Sequence, residues 1–248
     1  MKVLVCIGHV PDTTSKINFT SNDTEFDING IQFVINPHDE FTLARAMFLK
    51  EKQGASLTVV NVGLSSTEQT LRKALAIGAD NAIRVNSDPK DSLFVAQQIA
   101  KVAKDGSYDL VLAGKESIDY NGGMVPGLVA AILGEPFVNA VIGLEVEGDK
   151  ATVVREIDGG RETLSASFPL VIAGQKGLVK EEELRIPNMR GIMMARKKPL
   201  TVVEPNGEDK MTDFVKFEKP APKAACKMVS ADNVGELIDL LHNEAKAI

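Results

Sequence analysis

The chain has 248 residues, enough for one large domain or for one domain with an appendage. Its net charge of −6 and its lack of a long basic block argue against nucleic acid or an anionic membrane as the main partner. No apolar run approaches membrane-spanning length, no N-terminal targeting signal is present, and the two cysteines lie far apart, so we expect a cytoplasmic protein without membrane insertion.

The first predicted element is a buried strand over residues 2–7, which ends at Gly8. The loop after this strand has two interpretations. It is an ordinary turn, or it is part of a binding site, because ligands bind beyond the carboxyl ends of parallel strands. Residues 18–35 alternate short β-like pieces with turn residues. Asn29-Gly30 is typical of a hairpin, so we expect a small antiparallel excursion here with its turn at that pair.

A helix is predicted to begin at Asn36 and to continue to about Gln53. Asn36 is suited to cap it, Pro37 fits the first helical position, and the acidic residues that follow suit the positive end of a helix. Strands over 57–62, 81–85 and 109–113 then alternate with helices as far as about residue 134. This alternation predicts a doubly wound, mostly parallel sheet of the α/β class.

The stretch from Gly114 to Gly127 is a glycine-rich polar loop between a predicted buried strand and a predicted helix. The first amides of a helix lack internal partners and the helix dipole favours an anion there, so the arrangement is typical of phosphate binding. A connection of this kind also meets the geometric needs of any open α/β sheet. The loop alone leaves both interpretations open.

The second half of the chain changes character. Strands joined by turn residues predict an antiparallel meander at about 138–168, and an apolar strand follows it. Leu178 and Val179 are predicted to be exposed in a charged loop, either as tolerated surface residues or as a docking anchor. We expect a nucleotide-binding α/β domain over 1–198 and an extended arm over 199–248, which ends in an amphipathic helix and is held by another chain.

Several sequence blocks occur in the same order as in the beta subunit of electron-transfer flavoproteins, and the chain resembles that family over essentially its whole length. The blocks are Lys2-Val3-Leu4-Val5, Asn36-Pro37, Arg72-Lys73-Ala74-Leu75-Ala76-Ile77-Gly78-Ala79-Asp80, Gly114-Lys115, Ile118-Asp119, Arg155-Glu156-Ile157-Asp158-Gly159-Gly160 and Ile186-Pro187-Asn188.

The resemblance implies an adenine-nucleotide-binding fold, and a heterodimer with an alpha subunit that carries the redox FAD. In that family the beta subunit holds AMP, or a second FAD in electron-bifurcating members. It also has a recognition loop that docks onto the partner dehydrogenase, which implies docking roles for Leu178, Val179 and Ile186. The implied nucleotide-binding residues are Cys6, Asn36, Pro37, His38, Asp39, Val62, Gly114, Lys115, Ser117, Ile118, Asp119, Tyr120, Asn121, Gly122, Gly123, Met124 and Val125.

This chain departs from the family pattern in the loop. Gly122-Gly123-Met124-Val125-Pro126 stands where relatives have polar side chains, and Pro126 has no amide hydrogen. We therefore expect any nucleotide to be held there mainly by the backbone amides from Asn121 to Val125. The Asp-Gly-Asp-Thr signature of bifurcating members is absent, which argues against a second FAD.

The resemblance implies a non-catalytic carrier, which passes electrons from acyl-CoA or related dehydrogenases to a quinone oxidoreductase. No acid, base or nucleophile is required in this chain, because the flavin performs the redox chemistry. The histidines have no metal-like spacing, so we expect no metal. The alternatives are a bifurcating or Fix-type subunit with a second FAD, a homodimeric nucleotide sensor, and an ATP-using enzyme with Mg²⁺ on Asp12 and Asp119.

Overall fold

A computed structural model describes residues 1–223 and 225–248 and shows one large sheet with helices on both faces. The strands are β1 (Lys2–Cys6), β2 (His9–Pro11), β3 (Phe19–Thr20), β4 (Glu25–Phe26), β5 (Phe33–Ile35), β6 (Ser56–Val62), β7 (Asn81–Val85), β8 (Leu110–Gly114), β9 (Phe137–Glu147), β10 (Lys150–Ile157), β11 (Gly160–Ser167), β12 (Leu170–Gly174) and β13 (Leu200–Val203). The helices are α1 (Pro37–Gln53), α2 (Glu68–Ile77), α3 (Ser92–Gly106), α4 (Val125–Leu133), α5 (Met189–Ala195) and α6 (Val234–Asp239).

The main sheet has the strand order β11-β10-β9-β12-β8-β1-β6-β7-β13 among the described residues. In this spatial order, neighbouring strands are parallel from β9 through β12, β8, β1, β6 and β7 to β13. The pairs β9–β10 and β10–β11 are antiparallel. The predicted α/β class, with a mostly parallel sheet and an antiparallel excursion, is therefore confirmed.

The central strands are apolar on both faces because helices cover both. β8 and β12 are buried along their whole length. Alternate residues of β1 face two separate cores: Val3 and Val5 pack on the side of α1 and α2, and Leu4 packs on the side of α3 and α4. The parallel strands thus end together at one edge, between the helices of the two layers.

The small excursion before α1 has different pairings from those predicted. β2 pairs with β5, and β3 pairs with β4, both antiparallel. Asn29-Gly30 does form a turn, in which Gly30 has φ +72° and Ile31 N–H donates to Ile28 O (3.2 Å). The prediction that this turn closes a hairpin is wrong, because Phe33–Ile35 pairs with the earlier segment His9–Pro11 instead of with the residues just before the turn.

The sheet also extends past the boundary that we expected at residue 198. Leu200–Val203 forms β13, which pairs with β7 at the edge of the main sheet. The irregular segment begins only after Val203, and α6 continues as one wider helical turn over Leu240–Glu244. None of the described helices has the length and apolar character that a membrane crossing requires.

Candidate functional site

The candidate site lies at the carboxyl ends of β1 and β8. β1 pairs with β6 on one side and with β8 on the other, so the strand order changes direction between β1 and β8. In open α/β sheets, ligands bind in the crevice at such a switch point. The structure brings together here the residues that follow β1, those that begin α1 and those that follow β8.

Asp39, in the first turn of α1, binds both strand ends. The amide of Gly8, after β1, donates to Asp39 Oδ2 (2.7 Å), and the amide of Gly114, at the end of β8, donates to Asp39 Oδ1 (2.7 Å). The side chain is only 5% exposed. The carboxylate is therefore bonded within the protein through both of its oxygens.

Asn36 ties the same end of α1 to the loop after β8. Its Nδ2 donates to Glu116 O (2.9 Å), and its Oδ1 accepts a hydrogen bond from Ile118 N–H (3.3 Å). The prediction that Asn36 caps the helix with its side chain is wrong, since that side chain makes no bond to the amides of α1. The loop after β8 takes it up instead.

Burial dominates the electrostatics of this corner. It raises the pKa of Asp39 to about 6, although hydrogen bonds from the Gly8 and Gly114 amides favour the charged form. Burial, and secondarily the Asp39 charge, also raises the pKa of the Cys6 thiol. A strongly raised carboxyl pKa beside a crevice is typical of functional sites.

The loop after β8 is a tight turn with exposed side chains at its tip. Ser117 N–H donates to Gly122 O (2.9 Å), and Asn121 between them has φ +54°. Tyr120 and Met124 are exposed. The loop is thus shaped by its own backbone, and it leads directly into α4 at Val125.

Gly122 pairs with Ser117 across the turn, whereas the amides of Asn121, Gly123, Met124 and Val125 have no hydrogen-bond acceptor within the part of the chain that the structure describes. These residues precede or begin α4. Met124 occupies the N-cap position of α4, and its side chain makes no cap hydrogen bond. Lys115 forms no ion pair among the described residues, and its backbone N–H donates to Gly174 O (2.7 Å). A set of free amides on a loop that also carries a lysine can bind an anion.

The other predicted site residues lie around this corner. His38 Nε2 is 3.5 Å from Glu116 Oε1, while its buried Nδ1 has no partner among the described residues. Pro37 begins α1. Cys6 and Val62 end β1 and β6 and pack in the core on the side of α3 and α4.

Two polar residues that sequence reasoning missed also lie at the strand ends. Asn61 Nδ2 donates to Ile7 O (2.8 Å) and links β6 to the end of β1. The buried Arg84 donates to Gly63 O (2.9 Å) and pairs with Glu68 (3.1 Å). A polar residue inside an apolar strand run, as in Thr-Val-Val-Asn-Val and Ala-Ile-Arg-Val, was the available signal.

Two acidic residues that an ATP-using enzyme would need are engaged in local turns. Asp12 Oδ1 accepts hydrogen bonds from Thr14 N–H (2.9 Å) and Thr14 Oγ1 (2.6 Å). Asp119 Oδ1 accepts bonds from Ser117 Oγ (2.5 Å) and Tyr120 N–H (3.1 Å). The described residues contain no group of three or more His, Cys, Asp or Glu side chains that could hold a metal ion.

The predicted docking residues divide into two kinds. The prediction that Leu178 and Val179 are exposed is wrong: each is 5% exposed and packs in the core on the side of α1 and α2. The main chain turns at Gly177 (φ +103°), and this turn precedes the two side chains that point inward. Ile186 is 88% exposed, just before α5.

Comparison with known proteins identifies close sequence relationships over the whole chain. Residues 24–207 match the model of the family described as electron transfer flavoprotein domain. The chain is 34% identical to the electron transfer flavoprotein subunit beta of Bacillus subtilis, with 100% of both chains covered. It is 38% identical to the subunit of the same name from Syntrophomonas wolfei, over 91% of this chain and 88% of the relative.

A eukaryotic relative shows the same extent of similarity. The chain is 34% identical to the mitochondrial electron transfer flavoprotein subunit beta of Arabidopsis thaliana, with 100% of both chains covered. The similarity therefore includes the first strand, the corner at Asp39, the loop after β8 and the C-terminal segment. It is not confined to the common α/β core.

Proposed function

The chain belongs to the electron transfer flavoprotein family, and on that premise we propose that it is the beta subunit of a heterodimeric electron carrier. The heterodimer accepts electrons from flavin dehydrogenases of the acyl-CoA type and passes them to a quinone-linked oxidoreductase. FAD on the alpha subunit supplies the redox chemistry. This chain supplies a structural AMP site and the surface that holds the alpha subunit, and it works in the cytoplasm.

One observation carries the AMP site: among the described residues, the amides of 123–125 lie unpaired where the loop enters α4, beside the switch point between β1 and β8. Backbone amides at a helix N-terminus favour a phosphate group. Lys115 adds a positive charge on the same loop. Gly122 and Gly123 contribute no polar side chain, so the amides would carry the phosphate contacts.

The alpha subunit would cover the apolar surface of the C-terminal segment. Phe214, Val215, Met228, Val234 and Ile238 are exposed on that segment. Scattered exposed apolar residues are normal, but their concentration in one segment is typical of an interface. We infer that residues 204–248 form much of the contact with the alpha subunit.

The dehydrogenase would dock on the surface around Ile186. This residue and the side chains of Met189 and Met193 in α5 are exposed and form an apolar, flexible surface. The burial of Leu178 and Val179 supports a role for these two residues in holding the loop, and leaves Ile186 as the anchor.

The proposal is tested by co-expressing the chain with its alpha subunit and purifying the complex. We expect a yellow heterodimer with equal amounts of the two chains, and poor recovery of the beta chain when it is expressed alone. A stable, monodisperse homodimer of this chain that binds a nucleotide without an alpha subunit would instead favour the sensor alternative.

A further inference from the structure

We propose that Asp39 is the positioning residue of the nucleotide site: its carboxylate holds the ends of β1 and β8 so that the loop from Gly114 to Val125 presents its amides to the phosphate. This inference rests on the proposed AMP site. It also changes the role that the family resemblance implied for Asp39, from a residue in contact with the nucleotide to one that acts through its neighbours.

Both oxygens of Asp39 are already used. Gly8 N–H and Gly114 N–H each donate to a different oxygen at 2.7 Å, and the side chain is buried. A carboxylate bonded in this way has little capacity left for a ligand, and its negative charge repels phosphate. The pairing of β1 with β8 ends at Val5 and Leu112. Beyond that pair, the Asp39 carboxylate joins the two strand ends through its bonds to Gly8 and Gly114.

The fit leaves no room for a Cβ atom at Gly114 and little room for one at Gly8. A Cβ atom on Gly114 would lie 2.5 Å from Asp39 Oδ1 and 2.7 Å from His38 Cβ. A Cβ atom on Gly8 would lie 3.0 Å from Asn36 Cβ and 3.1 Å from Asp39 Oδ2. A carbon atom cannot lie 2.5 Å from Asp39 Oδ1 unless one of the two groups is displaced. The first turn of α1 and the two strand ends therefore behave as one packed unit.

The same helix end holds the base of the nucleotide loop. Asn36, three residues before Asp39 and on the same side of the first turn, bonds to Glu116 O and Ile118 N–H. If the Asp39 bonds are lost, Asn36 and the loop segment that it holds can shift together. The free amides of residues 123–125 follow directly on that segment, through the pairing of Ser117 with Gly122.

A carboxylate is buried here because two backbone amides converge on its two oxygens. Burial of a charge is costly, and burial raises the pKa of Asp39 even though the two amides donate to it. An asparagine of the same size could accept from only one of the two amides and would turn its NH2 group toward the other. A costly charge that is kept beside a binding crevice is consistent with a role in the geometry of that crevice.

The test compares the heterodimer containing Asp39→Asn with wild type and with Glu40→Gln. The second variant removes a carboxylate from the adjacent residue, which pairs with Lys73 and does not touch the strand ends. Calorimetry on nucleotide-free heterodimer measures Kd for AMP and for adenosine. We expect Asp39→Asn to lower the preference for AMP over adenosine by about tenfold, the effect of one lost charge-assisted contact, and Glu40→Gln to leave it unchanged.

The adenosine measurement separates positioning from general damage, because a merely loosened fold would weaken both ligands equally. Gly114→Ala is an independent test variant, because it keeps the Asp39 charge and pushes the strand end away from it. We expect the same loss of AMP preference. An unchanged preference in Asp39→Asn overturns the inference. If that variant does not assemble, an unchanged preference in Gly114→Ala overturns it. If wild type binds no AMP, the proposed AMP site itself is wrong.

Discussion

Asp39 links the pH dependence of stability to the candidate site. Burial raises its pKa to about 6, so the folded chain binds this proton more tightly than the unfolded chain does. The sign follows from linkage: the stabilising effect of this proton is complete below the unfolded pKa and is lost as the pH rises through about 6. At neutral pH the folded protein therefore keeps a costly charge at Asp39.

We expect the stability of wild type, relative to Asp39→Asn, to increase by about 1 kcal/mol when the pH falls from about 7 to about 5. Urea denaturation of both proteins at the two pH values measures this difference. The ionisable neighbours, Cys6 on β1 and Glu40 on α1, are the same in both proteins. Parallel pH profiles would mean that Asp39 does not titrate in this range.

Leu178 and Ile186 are expected to respond oppositely to truncation. Leu178→Ala removes a buried side chain, which typically costs roughly 2–5 kcal/mol of stability. Ile186→Ala removes an exposed one and should leave stability nearly unchanged, while it slows FAD reduction by the dehydrogenase. Urea denaturation and stopped-flow reduction of the heterodimer measure the two effects. Normal reduction of Ile186→Ala would remove the docking assignment.

The positions of the site residues were more predictable than their bonds. Parallel strands end at a common edge, so the clustering of residues after β1, before α1 and after β8 follows from the strand pattern alone. Whether Asn36 caps its helix or binds Glu116 depends on which groups from the distant loop approach it. Leu178 was misjudged because its polar neighbours in sequence do not share its inward direction.

At the scale of elements, the start of α3 fastens the beginning of the C-terminal segment. Asp91 Oδ1 accepts a hydrogen bond from Phe94 N–H (2.8 Å) as the helix cap, and Oδ2 accepts bonds from Met211 N–H (2.6 Å) and Thr212 N–H (3.0 Å). The cap bond, with help from the other two, lowers the pKa of Asp91. One side chain thus serves both a helix and the segment that follows β13.

Asp91→Ala should therefore loosen two elements at once. Loss of the cap is expected to cost about 1 kcal/mol, and residues 208–219 should exchange amide hydrogens faster. Hydrogen exchange with mass spectrometry measures both effects. Asp88→Ala is the matched control, because the Asp88 carboxylate makes no hydrogen bond among the described residues. Unchanged exchange at 208–219 in Asp91→Ala would show that the segment is held elsewhere.

Elements with local signals were predicted well, and those with distant pairings were not. The helix that begins at Pro37 and the alternation of strands and helices up to about residue 134 follow from apolar periodicity and from a proline that fits the first helical position. β13 was missed because it pairs with β7, which lies more than a hundred residues earlier in the chain: Leu200 pairs with Ala82. A short strand after a proline carries little local signal of its own.

At the scale of the whole molecule, the central parallel strands are covered on both faces. The described residues of the segment after Val203 expose apolar side chains instead, and α6 packs mainly on its own continuation. The predicted division into a nucleotide-binding domain and a partner-wrapping arm stays a prediction. The exposed apolar side chains support the arm's role, and the heterodimer would bury them.

The cofactors of the heterodimer test the central claim most directly. Denaturing the co-expressed, purified complex and counting the released nucleotides by mass spectrometry measures both sites at once. We expect one FAD and one AMP for each pair of alpha and beta chains. Two FAD molecules for each pair would contradict the account and would identify a bifurcating or Fix-type subunit, in which the loop from Gly114 to Val125 holds a flavin nucleotide instead of AMP.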